Sequence, residues 1–250
     1  MSDLITVQGV VLSAMPVGEY DRRIVLLTRE RGKIAAFAKG ARRLNSPFMA
    51  AASPFVFGNF TLYEGRNSYN LNHAEIRHHF AELAKNQPGI YYGYYFLELC
   101  DYFGREGSDE KELMNLLYVA VRALMNPKIS LRLVRCIFEF RLMSIEGWMP
   151  RIYECISCGK QLEEGDRLFF SMSEHGILCG ECGPLPVDAF RISFAAAAVL
   201  QYIAGTPMQK LFGFTVKDDL LHELENIIYE YTAKNTDRKF RSLQILEAME

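Results

Sequence analysis

The sequence predicts an α+β multidomain chain: a five-stranded β-barrel at the N-terminus, then an all-α domain interrupted by a small cysteine-bearing insert. Three observations carry this prediction. Short runs rich in Val, Ile and Phe, separated by turns that contain glycine, fill residues 1–80. From Pro88 onward the apolar residues change to helical spacing. Four of the six cysteines then fall in two close pairs within residues 150–186.

The first strand covers residues 4–14, where Val and Ile are frequent and no helix cap occurs. Residues 22–29 and 33–39 form the next two, joined by Glu30-Arg31-Gly32, a tight turn in which glycine is free to take positive φ. Residues 55–63 and 68–76 form the last pair around Glu64-Gly65-Arg66-Asn67. Five short antiparallel strands suit a small closed barrel, the architecture of OB-folds. Residues 40–54 hold Pro47, Pro54 and several alanines without a period, which predicts a mobile loop with Arg42 and Arg43 at its stem.

Tyr91, Tyr94, Tyr95, Glu98, Leu99 and Tyr102 repeat at helical spacing up to Gly104. Asp109 with Glu112 has the spacing of a capping pair, and Leu113, Leu116, Leu117, Ala120, Val121 and Leu124 follow as an apolar stripe until Pro127. A third helix carries Leu131, Val134, Phe138, Leu142 and Ile145 and stops at Gly147. Within the insert a hairpin is expected from residues 168–171 and 176–178. Ser193 then caps a helix over residues 194–204, Thr215 with Asp218 caps one that runs through Tyr231, and residues 238–249 form the last. The chain is thus divided into a barrel at 1–80, a first helical part at 81–149, the insert at 150–186 and a second helical part at 187–250.

A net charge of −2 conceals unlike halves, since basic residues are in excess up to Asn86 and acidic ones beyond it. Apolar content of 50% can fill real cores, so disorder is not the expectation. The N-terminal residues lack the charged and apolar regions of a signal peptide, and no apolar run approaches the ~18 residues a membrane helix needs. A soluble, cytoplasmic protein with no membrane contact is expected.

Six cysteines are too sparse for a disulfide scaffold in a chain of 250 residues. Cys155-Ile156-Ser157-Cys158 and Cys179-Gly180-Glu181-Cys182 are two Cys-x-x-Cys knuckles, spaced as in tetrahedral four-thiolate zinc sites, so the insert resembles a zinc ribbon. Gly159 and Gly183 follow the knuckles, where positive φ would let backbone N–H groups wrap the sulfurs. Four thiolates saturate the ion and leave no position for water or substrate, so one structural zinc is expected. A zinc deaminase would need His-x-Glu, whereas His175 is followed by Gly176 and Ile177. Cys100 and Cys136 lie on apolar helical faces and read as small buried hydrophobes.

Arg22, Arg23, Arg29, Arg31, Lys33, Lys39, Arg42 and Arg43 face a single acid, Glu30, on the second hairpin and its loop. Cations at this density replace the counterions of nucleic-acid phosphates, and Tyr20, Phe37, Phe48, Phe57 and Tyr69 are candidate stacking partners for unpaired bases, Phe37 and Phe57 fitting the core better. The bland alternative is a solvated rim. His73, His78 and His79 receive no role. No phosphate-binding Gly-x-x-x-x-Gly-Lys-Ser/Thr loop or Gly-x-Ser-x-Gly element occurs, which argues against an enzyme.

Gly18-Glu19-Tyr20-Asp21-Arg22, Leu26-Leu27-Thr28, Gly32-Lys33, Ala38-Lys39-Gly40-Ala41-Arg42-Arg43 and Ser53-Pro54-Phe55 together resemble the bacterial recombination-repair family RecO. The resemblance continues through the cysteine knuckles and is weakest in the last third; residues 44–52 are short of the glycine such a loop would carry. It implies an OB-fold N-terminal domain, a helical domain with a zinc insert, and work alongside RecR, RecF and RecA. It further implies binding of single- and double-stranded DNA, annealing of complementary strands, and help in replacing single-stranded DNA-binding protein (SSB) with RecA at gaps, in the bacterial cytoplasm at the nucleoid. The acidic tail of SSB, with its apolar end, would bind the helical domain; Leu131, Val134, Phe138 and Leu142 beside Arg132, Arg135 and Arg141 could form its pocket or simply be core. The rival reading is a zinc-ribbon OB-fold protein that binds RNA or serves transcription, since both modules are used there too.

Overall fold

The computed structural model describes residues 4–65 and 68–249, so Arg66 and Asn67 of the expected last turn lie outside the described residues. The chain forms two compact units, Met1–Met125 with Lys239–Glu250, and Asn126–Arg238.

In the first unit five strands follow one another: β1 (Leu4–Val17), β2 (Asp21–Thr28), β3 (Gly32–Ala38), β4 (Val56–Glu64) and β5 (Tyr69–His79). They pair in the order β1-β2-β3-β5-β4, and β4 returns to β1, so the sheet closes. Every pairing is antiparallel except β3 with β5, which meet in parallel at Ala36↔Tyr69 and Phe37↔Asn70. The sequence reading had all five antiparallel. Closure requires the exception, because five strands in a closed ring cannot all run antiparallel to both neighbours. This is the OB architecture. Alternation fills the barrel: Val7, Val11, Ile24, Leu26, Ile34, Phe60 and Leu62 form the core, and Ala36, Ala38 and Ala41 keep it narrow. Val10, Leu12 and Leu27 lie outside that core yet are also buried, because α2 (Gly89–Phe103) contacts β1 and α3 (Lys111–Leu124) contacts β2.

Gly32 takes φ +64°, as the turn demands, and a Cβ there would stand 1.9 Å from the Arg105 carbonyl oxygen. The loop after β3 is less irregular than expected, since it contains a short helix, α1 (Phe48–Ala51). The Asp109–Glu112 pair forms no reciprocal capping box, although the Asp109 carboxylate accepts the Lys111 N–H, the first of α3, at 3.0 Å. Glu110 is the N-cap of α3 without a side-chain cap, and its carboxylate instead accepts from the Ser108 hydroxyl at 2.6 Å and the Arg105 N–H at 3.0 Å. The last helix, α7 (Arg241–Glu247), is shorter than expected and packs on α2, where Ser242 donates from both N–H and hydroxyl to Glu98.

The second unit is built on α4 (Leu131–Ile145), against which α5 (Phe194–Gly205) and α6 (Asp218–Lys234) pack. Ser193 caps α5 as expected, accepting the Ala196 N–H at 3.0 Å. The Thr215–Asp218 cap is absent; Lys217 occupies the N-cap of α6. The expected hairpin forms as β6 (Leu168–Ser171) and β7 (Gly176–Cys179), and a third strand, β8 (Phe190–Ile192), pairs with β6 on its other side. Three residues are too short a run for a period to show.

Candidate nucleic-acid face and metal centre

The basic residues of the second hairpin divide between its two ends. At one end, Lys39, Arg42 and Arg43 are exposed on the loop after β3. That loop is bound to the β1–β2 turn: the Arg42 guanidinium donates to the Gly18 and Glu19 carbonyls at 3.3 and 3.1 Å, and Gly40 N–H donates to the Asp21 carboxylate at 2.7 Å. Arg43 lies over the exposed Tyr20 ring at 5.1 Å, a cation–π pair on the same rim. Arg22 is half-buried here and holds the α1 segment, donating to the Met49 and Ala52 carbonyls at 3.1 and 2.8 Å and to the Ser53 hydroxyl at 3.2 Å. Nothing in the sequence pattern marked Arg22 as an anchor, since its carbonyl partners carry no side-chain signal.

At the other end acids meet the cations. Arg31 pairs with Glu64 at 3.6 Å, and Lys33 bonds to the Asp101 carbonyl and stands 3.6 Å from its carboxylate. Arg23 and Lys33 line a cleft of about 620 Å³ on the outer face of β1–β3, together with Glu64, Asp101 and Glu106. Among the described residues its wall holds three carboxylates and two cations, a balance that does not favour a phosphate backbone there. Of the candidate stacking rings, Tyr20 is exposed, Phe37, Phe48 and Tyr69 are half-buried, and Phe57 is buried. The Tyr69 hydroxyl donates to Glu64 at 3.3 Å, and burial with the nearby Glu64 charge raises its pKa above the ordinary value.

In the second unit the four knuckle sulfurs lie within 4.8 Å of one another, and Cys158 Sγ stands 3.8 Å from Cys179 Sγ. Tetrahedral thiolates with bonds of ~2.3 Å sit about 3.8 Å apart, so the donor set fits a metal ion. Cys155 and Cys179 are buried and Cys158 is exposed. Burial pushes the Cys155 thiol up, but backbone N–H groups of Cys179, Cys158 and Ser157 more than offset it and bring its pKa to about 6. The Ser157 hydroxyl favours the Cys182 thiolate, yet burial and the other three sulfurs push that thiol up to about 12. Four sulfurs this close cannot all ionise alone, and a bound cation removes the conflict.

The two knuckles share one backbone device, with Gly159 and Gly183 donating to the Cys155 and Cys179 carbonyls, each at 2.8 Å. Gly159 takes φ +74° as expected. Gly183 does not, and glycine is needed there for another reason: a Cβ would stand 2.1 Å from a ring carbon of Phe169. Cys100 and Cys136 are fully buried, and burial with the nearby Glu139 raises the Cys136 pKa far above the ordinary thiol value.

Val134, Phe138 and Leu142 are fully buried core residues, and the arginines beside them are committed within the unit. Arg132 grips the Glu225 carboxylate with two nitrogens, Arg135 pairs with Glu139 at 2.7 Å and lies over the Tyr229 ring at 3.5 Å, and Arg141 donates to the Ile203 and Ala204 carbonyls. Leu131, at the start of α4, is half-buried.

An OB barrel with a cationic loop rim, in one chain with a helical unit whose four clustered cysteines could hold a metal ion, defines a barrel-plus-helix class of protein. Family models for "Recombination protein O N terminal" and "Recombination protein O C terminal" match residues 1–80 and 88–244. The chain belongs to the RecO family of DNA repair and recombination proteins. It is 31% identical over 243 residues to the DNA repair protein RecO of Alkaliphilus metalliredigens, covering 97% of this chain and 98% of that one. The RecO of Acetivibrio thermocellus is 29% identical, covering 97% and 96% of the two chains, and that of Clostridium novyi 27% identical, covering 95% and 91%. No described helix is long and apolar enough to cross a membrane.

Proposed function

We propose that this chain binds single- and double-stranded DNA at the loop end of its barrel, anneals complementary strands, and assists loading of RecA on SSB-coated DNA. The observation that carries the reading is the rim where Lys39, Arg42 and Arg43 stand exposed beside Tyr20 on two loops tied together. Such a rim neutralises phosphates without reading sequence, while Tyr20 offers one flat surface to an unpaired base. Arg22 supports the rim by holding the α1 segment, and the exposed Arg23 stands next to it on β2. Arg29, Arg31 and Lys33 lie toward the far end of the hairpin, where Glu64 and Asp101 engage Arg31 and Lys33 and contact with DNA is expected to be weaker.

The reading needs no catalytic residue. Pairing releases on the order of 1.4 kcal/mol per base-pair step through stacking, so a protein that holds two neutralised strands close accelerates annealing by effective concentration alone. The metal in the four-cysteine centre is one structural zinc, the ion that four tetrahedral thiolates select. RecR, RecF and the SSB tail are its partners, the tail binding in the helical part, and the bacterial cytoplasm at the nucleoid is its place. Mixing complementary oligonucleotides, bare or coated with SSB from the same bacterium, tests the core of the reading. Faster annealing in both states supports it; annealing no faster than without protein overturns it.

A further inference from the structure

We propose that a slot on the outer wall of the barrel, formed by β1, β4, β5 and α3, takes one unstacked base of a bound single strand. This rests on the DNA-binding reading but concerns a different face from the loop rim. The slot has a volume of about 280 Å³, at the lower edge of small-molecule sites, which suits one base rather than two. Its walls are rings: Phe57 and Tyr118 meet edge to face with centroids 5.4 Å apart, and His78 stands 5.1 Å from Tyr118, its Nε2 3.4 Å from the phenol oxygen.

Two carboxamides, Gln8 and Asn115, and the apolar Met114 add to the lining. A carboxamide offers a donor and an acceptor side by side, the pattern of a base edge, whereas an apolar peptide side chain seated here would leave both unmatched. Among the described residues the charged lining group is Arg77, which is exposed. A second guanidinium flanks it, that of Arg122, which lies 5.9 Å over the Tyr118 ring. Two acids stand on neighbouring positions, Glu30 accepting the Gln8 main-chain N–H at 3.1 Å and Glu75 accepting from the Asn59 carboxamide at 2.8 Å, and both lie outside the lining. A nucleotide, flat and hydrogen-bonding with an anionic phosphate, matches this set of groups, and the carboxylate-lined cleft on β1–β3 does not.

The test uses the full chain and short oligonucleotides carrying 5-iododeoxyuridine, whose photo-cross-links go to a stacked ring. Cross-links to Phe57, His78 or Tyr118 are expected. Asn115→Phe fills the slot from an exposed position and Arg77→Ala removes its cation. Both are expected to keep the wild-type melting temperature, lose these cross-links and weaken short-oligonucleotide binding about tenfold, the effect of one stacked base. Deoxyadenosine monophosphate is titrated in parallel. Saturable binding that Asn115→Phe abolishes supports the slot and extends it to free nucleotides, and oligonucleotide binding without it assigns the base to the strand. Oligonucleotides that bind wild type and both variants alike, with no cross-link in the slot, overturn the proposal alone. No oligonucleotide binding by anisotropy overturns the DNA-binding reading as well.

Discussion

The main-chain N–H of Arg42 donates to the Tyr20 carbonyl at 2.8 Å, which joins the loop after β3 to the β1–β2 turn. The bond decides how the basic residues are distributed. Eight cations close in sequence suggested one patch, but an eight-residue strand spans roughly 26 Å. Lys39, Arg42 and Arg43 therefore stand at one end of the hairpin, and Arg31 and Lys33 at the other, beside Glu64 and Asp101.

Lys39→Glu with Arg42→Glu is expected to weaken binding about uniformly across DNA sequences. The slope of log affinity against log salt should flatten by roughly one per lost phosphate contact. Arg31→Glu, at the end where acids already stand, is expected to change binding less. A salt titration of all three proteins checks this, and equal binding by wild type and the double variant at moderate salt would place the DNA elsewhere.

Arg22 behaves differently, because its guanidinium holds the α1 segment through two carbonyls and a hydroxyl. Arg22→Ala leaves those acceptors without their charged donor, at a cost of about 1–3 kcal/mol. Urea unfolding should show this loss, and Lys39→Ala should not. Arg22→Ala as stable as Lys39→Ala would mean that the anchor is dispensable.

The barrel, the helices and the four-cysteine centre were legible in the sequence because each rests on a period or a spacing. β2 alternates Ile24 and Leu26 inward, α3 repeats Leu113, Leu116, Leu117 and Ala120, and two knuckles announce four thiolates. What was not legible depends on contacts distant in the chain. Nothing local to Asp109 showed that it would accept the Lys111 N–H while Glu110, at the N-cap, bound Ser108. Leu131, Val134, Phe138 and Leu142 beside three arginines read more readily as core than as pocket, and Glu225, Glu139 and the Ile203 carbonyl are the partners of those charges that no local pattern could name. The slot beside Tyr118 draws on four elements and has no linear signature.

Asp188 gives the metal-bearing unit a dependence on acid. Its carboxylate accepts from the Ser173 hydroxyl at 2.7 Å, the Ser173 N–H at 2.6 Å and the Ser171 hydroxyl at 2.9 Å, which hold its pKa down at about 2. A folded-state pKa below the unfolded value of ~3.9 means that the stabilisation is present above pH ~4 and is lost as pH falls toward 2. Asp188→Asn should therefore flatten the acid limb of a stability–pH profile between about pH 4 and 2, and an unchanged limb would show that the serines do not hold the charge.

Removing the metal should unfold the second unit before the first. The knuckles have little core of their own, in which Cys155, Leu178 and Cys179 are the buried members, so ligation energy is folding energy there. A strong chelator added under reducing conditions is expected to lower the melting temperature. It should also expose amides of β6 and β7 to hydrogen exchange while those of β2 and β3 stay protected. Cys155→Ser should reproduce the effect, since it removes a buried ligand; Cys158→Ser, at the exposed corner, should weaken metal binding with less loss of stability. Metal analysis after reducing purification should return one zinc per chain. If chelation releases no metal and leaves both exchange and melting unchanged, the four sulfurs do not hold an ion and the insert is folded by its strands alone.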